Sequence, residues 1–93
     1  MMHRVVVTGV GTVNPTGVSV AESWDNITNG RSGICPIASF DTADFLVKVA
    51  GEVKNFEPTH YMEAREVRRR DRFEQFATAA SQEALKQSGL PIN

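Results

Sequence analysis

Hydrophobic positions change their spacing several times along the chain, and each change marks an element. Arg4 to Val10 carries three consecutive valines, Val5 to Val7. β-Branched side chains favour extended backbone, and valines at successive positions face both sides of it, as in a central strand of a parallel sheet. Gly9, Gly11, Pro15 and Gly17 then break the chain into a turn. Ser19 with Glu22 three residues on has the spacing of a capping box. Val20, Trp24 and Ile27 recur at i, i+4 and i+7, which predicts a helix to about Asn29 with one face seeking a core. Gly30 follows, where a left-handed stop is cheap.

Residues 31–45 hold Gly33, Pro36 and several small polar residues, and read as a connecting loop. Val47, Val49 and Val53 alternate with Lys48 and Glu52, which predicts a second, half-buried strand. Gly51 within that alternation marks a bulge or a close backbone approach. Pro58 can start a short helical turn, and helical spacing runs from about Glu63 to Ser88, ended by Gly89 and Pro91. On this last helix Phe73, Phe76, Ala77, Ala80, Ala84 and Leu85 form an apolar stripe rich in small residues, expected to be buried at close approach. There is no internal repeat, low-complexity segment or linker.

Strand, helix, strand, helix is the order of an α/β protein. Two strands are too few for it. A first strand that is apolar on both faces needs neighbours and helices on both sides, and two-stranded sheets are marginal even when covered. The pattern asks for more protein than these 93 residues contain, so residues 1–93 are expected to be incomplete as an independent domain.

Composition narrows the class. A formal charge of −1 gives no general attraction to nucleic acid or to anionic membranes. Uninterrupted apolar runs reach three residues, far below the ~20 of a membrane helix, and the start lacks the apolar core of a secretory signal. The single cysteine, Cys35, excludes an internal disulfide and suits a reducing compartment. A cytoplasmic location is expected.

Few residues suggest chemistry. Gly9-Val-Gly11 after a strand has the look of a dinucleotide-binding turn, but Asn14 stands where that fingerprint needs its third glycine. No acidic residue follows a second strand at the usual distance either; a structural turn is the expectation. An activated thiol needs a helix amino terminus or a cationic neighbour. Cys35 instead precedes Pro36 in the predicted loop, and neither His3 nor His60 is tied to it, so it is expected to be a packing residue. These two histidines have no partner at metal-ligand spacing, and no metal is assigned.

The basic cluster is the remaining surface feature. On one continuous helix Arg65, Arg68, Arg69 and Arg72 share a face at i, i+3, i+4 and i+7. Glu63, Glu66, Asp71 and Glu74 interleave with them, and Arg70 is spaced to pair with both Glu66 and Glu74. Without net positive charge or interleaved aromatics, nucleic acid is not the expected partner. A solvated charged face and a docking face for an acidic protein both fit.

Taken together, Arg4-Val-Val-Val-Thr-Gly-Val-Gly11, Pro15-Thr-Gly17, Ser32-Gly-Ile34, Phe40-Asp-Thr42, Ala50-Gly-Glu-Val53 and Asp71-Arg-Phe-x-Gln-Phe76 stand in an order that resembles the amino-terminal part of a type II β-ketoacyl-[acyl-carrier-protein] synthase. Asn14 departs from the serine or other small residue that many members place before the proline. The resemblance implies a thiolase-like fold, of which this chain supplies the opening strands and helices of the first half of a five-layered αβαβα sandwich. It implies an acyltransferase of fatty acid biosynthesis, usually a homodimer, that condenses malonyl-carrier protein with an acyl thioester by decarboxylating Claisen chemistry. No metal or redox cofactor is implied. The nucleophilic cysteine, two histidines and supporting lysine of such enzymes lie in later segments, so no catalytic residue is assigned to this chain, which is expected to be inactive alone. The resemblance further implies that Arg65, Arg68 and Arg69 help to dock the acidic acyl carrier protein. Two other readings are a polyketide ketosynthase or chain-length partner, and a free-standing α/β module that binds an acidic protein through its arginine face.

Overall fold

The structure, a computed structural model, describes residues 2–91, which divide into two compact units. One unit runs through residues 13–56, and the other joins the residues up to Thr12 to those from Glu57 onward.

In the first unit, helix α1 (Val20–Thr28) forms where its spacing predicts it. The Ser19 hydroxyl accepts the Glu22 N–H at 3.2 Å, satisfying one of the donors a helix start leaves free. Gly30, at φ +70, carries the chain out through a left-handed turn. Ahead of the helix, Asn14 and Gly17 exchange backbone hydrogen bonds at 2.9 and 3.0 Å, closing a tight turn over Pro15 and Thr16. The Asn14 side chain accepts the Thr16 N–H at 2.8 Å and donates to Ser23 Oγ at 2.9 Å. That bond supplies a partner for Ser23, which is buried in α1.

The expected loop at residues 31–45 contains a strand. Strand β1 (Ile34–Pro36) pairs antiparallel with β2 (Val49–Gly51), with Ile34 opposite Gly51 and Pro36 opposite Val49. Proline is tolerated because the pair is only two strands wide and Pro36 has a free edge. The Ile37 N–H extends the pairing to Lys48 O at 2.9 Å, and the Glu52 carboxylate accepts the Ala38 and Ser39 N–H groups at 2.9 and 3.2 Å. The Ser39 side chain foremost, and then the Ala38 and Ser39 N–H groups, hold the Glu52 carboxyl below its ordinary pKa. The close approach predicted at Gly51 is real: a Cβ there would lie 2.9 Å from Pro15 Cγ.

In the second unit the Arg4–Val10 segment departs from expectation. It has no partner strand among the described residues, and Val5 is 92% exposed. β Structure needs backbone groups from a neighbour, however well the side chains suit it. Helix α3 (Arg72–Ser88) meets the end of the segment instead. The Val10 N–H donates to Gln87 Oε1 at 2.7 Å and the Thr12 N–H to Glu83 Oε1 at 3.0 Å. Gly9 and Gly11 lie so near α3 that a Cβ would sit 2.1 Å from Ala84 O and 1.9 Å from Ala80 O. Glycines two apart on the segment thus meet alanines four apart on the helix. Close packing, not phosphate, accounts for the Gly-x-Gly spacing.

A 3-10 turn (Pro58–His60) and a four-residue helix, α2 (Ala64–Val67), precede α3. Gly89, at φ +72, ends α3 as predicted. The expected apolar stripe is only partly buried. Phe76, Ala80 and Ala84 are half-buried, while Ala77, Leu85 and Phe73, at 68%, are exposed; the buried positions of α3 lie beside the stripe, at Ala79 (2%) and Gln75 (7%). The predicted core face of α1 is likewise uncovered, with Trp24 at 67%.

Candidate functional site

The basic cluster falls on the joint between α2 and α3. Helical spacing does not run unbroken from Glu63: Arg68 caps α2, and Asp71, with extended backbone (ψ 161), starts α3 afresh. Arg65, Arg68, Arg69 and Arg72 therefore do not share one helical face. Arg65 belongs to α2, Arg68 and Arg69 to its end and the turn after it, and Arg72 to α3, where its guanidinium carbon lies 4.8 Å from the centre of the Phe76 ring.

The arginines differ sharply in what they touch. Arg70 pairs with Glu66 at 3.3 Å and with Glu74 at 3.1 Å, the two i,i+4 pairs its spacing predicts. The hydrogen bond to Glu74, reinforced by Glu66, pushes its guanidinium pKa further up. Its charge is already answered. Arg65, Arg68 and Arg69 are exposed, and their guanidinium groups make no ion pair among the described residues. Three uncompensated positive charges thus stand within five residues, beside a fourth that is neutralised. Met62, Glu66, Arg70, Glu74 and Thr78 line an open groove of ≈ 280 Å³ along the same joint.

Gln75 supports the joint from within, and sequence reasoning missed it. Its Nε2 donates to Val67 O and to Arg70 O, each at 3.2 Å. A polar residue on the same helical face as Ala79, one turn away, was the available signal.

The other candidates carry less. Cys35 lies in β1 rather than in a loop, half-buried, and the Lys54 ammonium donates to its Sγ. The thiol therefore has a cationic neighbour that sequence did not connect to it. It has no helix amino terminus, and no histidine contact with it is present among the described residues. His60 ends the 3-10 turn with its ring tilted beside Tyr61, 6.5 Å between centroids, and His3 is exposed. Among the described residues no group of three or more His, Cys, Asp or Glu side chains could hold a metal ion, and no helix is long and apolar enough to cross a membrane.

Comparison with known proteins fixes the family. The model of the β-ketoacyl synthase amino-terminal domain matches residues 2–93. The chain belongs to the β-ketoacyl synthase family. It is 43% identical over 90 residues to a 3-oxoacyl-[acyl-carrier-protein] synthase 2 of Synechocystis sp., covering 97% of this chain and 22% of that protein. It is 40% identical over 91 residues to the Coxiella burnetii protein of the same name, covering 98% of this chain and again 22% of that one. Among solved structures, the ishigamide ketosynthase/chain length factor superposes with a TM-score of 0.82 at 36% identity, covering 92% of this chain and 21% of that one. The fold is therefore part of a thiolase-like ketosynthase, and the chain spans about a fifth of the length of these relatives.

Proposed function

We propose that this chain is a segment of a 3-oxoacyl-[acyl-carrier-protein] synthase of fatty acid biosynthesis, incomplete as an independent domain. Its role is to present Arg65, Arg68 and Arg69 to an acidic acyl carrier protein. The whole enzyme is an acyltransferase that condenses malonyl-carrier protein with an acyl thioester, losing carbon dioxide, and works as a homodimer in the cytoplasm. The thiolate, the histidines and the amides that stabilise the oxyanion belong to segments outside these residues. The observation that carries the docking reading is the contrast at the α2–α3 joint: Arg70 is neutralised by Glu66 and Glu74, while Arg65, Arg68 and Arg69 are exposed without an ion pair among the described residues. Unpaired surface charge steers encounter with a partner of opposite sign more than it stabilises a fold.

The test is a charge reversal in a full-length synthase carrying this segment. Replacing all three arginines by glutamate is expected to raise KM for carrier-bound acyl groups by roughly ten- to a hundredfold, given ~0.2–1 kcal/mol for each lost pair plus new repulsion. The effect shrinks as salt rises. A small thioester without the carrier reacts as before. Equal damage with both substrates would remove the docking role. A polyketide ketosynthase or chain-length partner is the second reading, favoured by the likeness to the ishigamide ketosynthase/chain length factor. A full-length protein that condenses only after a second subunit is added would support it.

A further inference from the structure

We propose that Gln75 is a positioning residue for the arginine-bearing joint, holding Arg68 and Arg69 in place by bridging two main-chain carbonyls with one buried side-chain amide. This rests on the docking reading above. Gln75 sits in the first turn of α3 and is 7% exposed. The two carbonyls its Nε2 reaches, at 3.2 Å each, belong to Val67, the last residue of α2, and to Arg70, just before Asp71. Arg68 and Arg69 are the residues between them in the chain.

Beyond the main-chain bonds of the Arg68 N–H to Ala64 O at 3.3 Å and the Arg69 N–H to Glu66 O at 3.0 Å, little else fixes this stretch. A four-residue helix has no stability of its own, and its final carbonyls lack donors from within the helix. Asp71 halts the helical path with extended backbone, and its side chain makes no capping hydrogen bond. The backbone bonds of the turn are long at its end, with the Arg70 N–H 3.4 Å from Val67 O. The ion pairs of Arg70 span the joint on the outside, but their side chains are a third to a half exposed and water screens them. The Gln75 amide is inside, where an unmade hydrogen bond is costly. It meets both carbonyls, that of Val67 alongside the long bond from the Arg70 N–H, with the two hydrogens of one nitrogen, so the backbone that carries the arginines cannot move far without breaking both bonds.

The experiment uses a full-length synthase carrying this segment, assayed with an acyl carrier protein substrate and with a small carrier-free thioester. Gln75→Met keeps the length of the side chain and donates nothing. It is expected to raise KM for the carrier substrate about three- to tenfold, the scale of one or two lost hydrogen bonds felt at a rim, while kcat and the reaction of the small thioester stay unchanged. In a background where Arg65, Arg68 and Arg69 are alanine, Gln75→Met is expected to add nothing further, because no docking charge remains to be placed. An unchanged carrier KM, an equal loss with both substrates, or a full additional effect in the alanine background would each overturn the proposal. If Gln75→Met does not fold, Gln75→Asn, which keeps the amide but cannot reach both carbonyls, must show the same split between substrates or the proposal fails. The alanine variant alone separates the two levels. If it leaves the carrier KM unchanged, docking fails and positioning with it; if it raises KM while Gln75→Met does not, only positioning fails.

Discussion

Helix α1 and the Arg4–Val10 segment carry comparably clear hydrophobic patterns, yet one forms its element within this chain and the other does not. Helix α1 closes its hydrogen bonds on itself, takes its start from the Ser19 hydroxyl and leaves through Gly30. Everything it needs lies within a dozen neighbouring residues. Val5 to Val7 are suited to a strand but find no backbone partner among the described residues, and they remain exposed. Only the end of that segment is held, where Gly9 and Gly11 lie against α3 and two N–H groups reach Glu83 and Gln87. A helix can be specified locally because its ladder is internal. A strand is half of an interaction whose other half must be supplied.

The largest expected effect tests that contrast on the whole chain. Ala79 is the one buried hydrophobic residue among those described, while many large apolar side chains are exposed. The isolated 93-residue chain is therefore expected to show no condensing activity and a broad, non-cooperative thermal transition by circular dichroism. A sharp two-state transition of the monomer would break the comparison, because it would mean the valine segment needs no further partner.

Next in size are the glycines. In a full-length synthase, Gly11→Ala forces a methyl group against Ala80 O and is expected to cost about 3 kcal/mol in chemical denaturation. Gly30→Ala meets nothing within 4 Å and carries only the strain of φ +70, about 1 kcal/mol. The reverse ranking would mean that the segment's approach to α3 is loose. Ser19→Ala removes the hydroxyl that caps α1 and is expected to cost ~1 kcal/mol in the same measurement.

The smallest effect is a pH dependence. Hydrogen bonds from Ser39 and Ala38 hold the Glu52 carboxyl below its ordinary pKa of 4.5. Its contribution is thus fully present above that value and lost as pH falls through the lower folded value. The protection of the Ala38 and Ser39 amides against exchange, taken relative to the intrinsic rate at each pH, is expected to fall on acidification through this range, and Glu52→Gln to remove that fall. Protection of these two amides that stays constant with pH would show that the carboxylate does not anchor them.

Most of what was legible in the chain was local. The cap at Ser19, the left-handed stops at Gly30 and Gly89, the turn started by Pro58 and the Glu66–Arg70–Glu74 pairs all depend on groups a few residues apart. The family, too, was readable, from the order of short motifs along the chain, which the match over residues 2–93 bears out. Long-range partners were decided only in three dimensions. β1 formed in a stretch that reads as loop because β2 offered it a ladder. The Gly9-Val-Gly11 spacing took its meaning from Ala80 and Ala84, and Cys35 met Lys54 across 19 residues. The arginines were visible as a cluster, but the break after Val67 separated them from a common face, and the buried amide of Gln75 that spans the break was not visible at all. Sequence determines what a residue can offer its near neighbours; which distant backbone group it answers depends on the path of the whole chain, since hydrogen bonds and contacts act through space and not along the polymer.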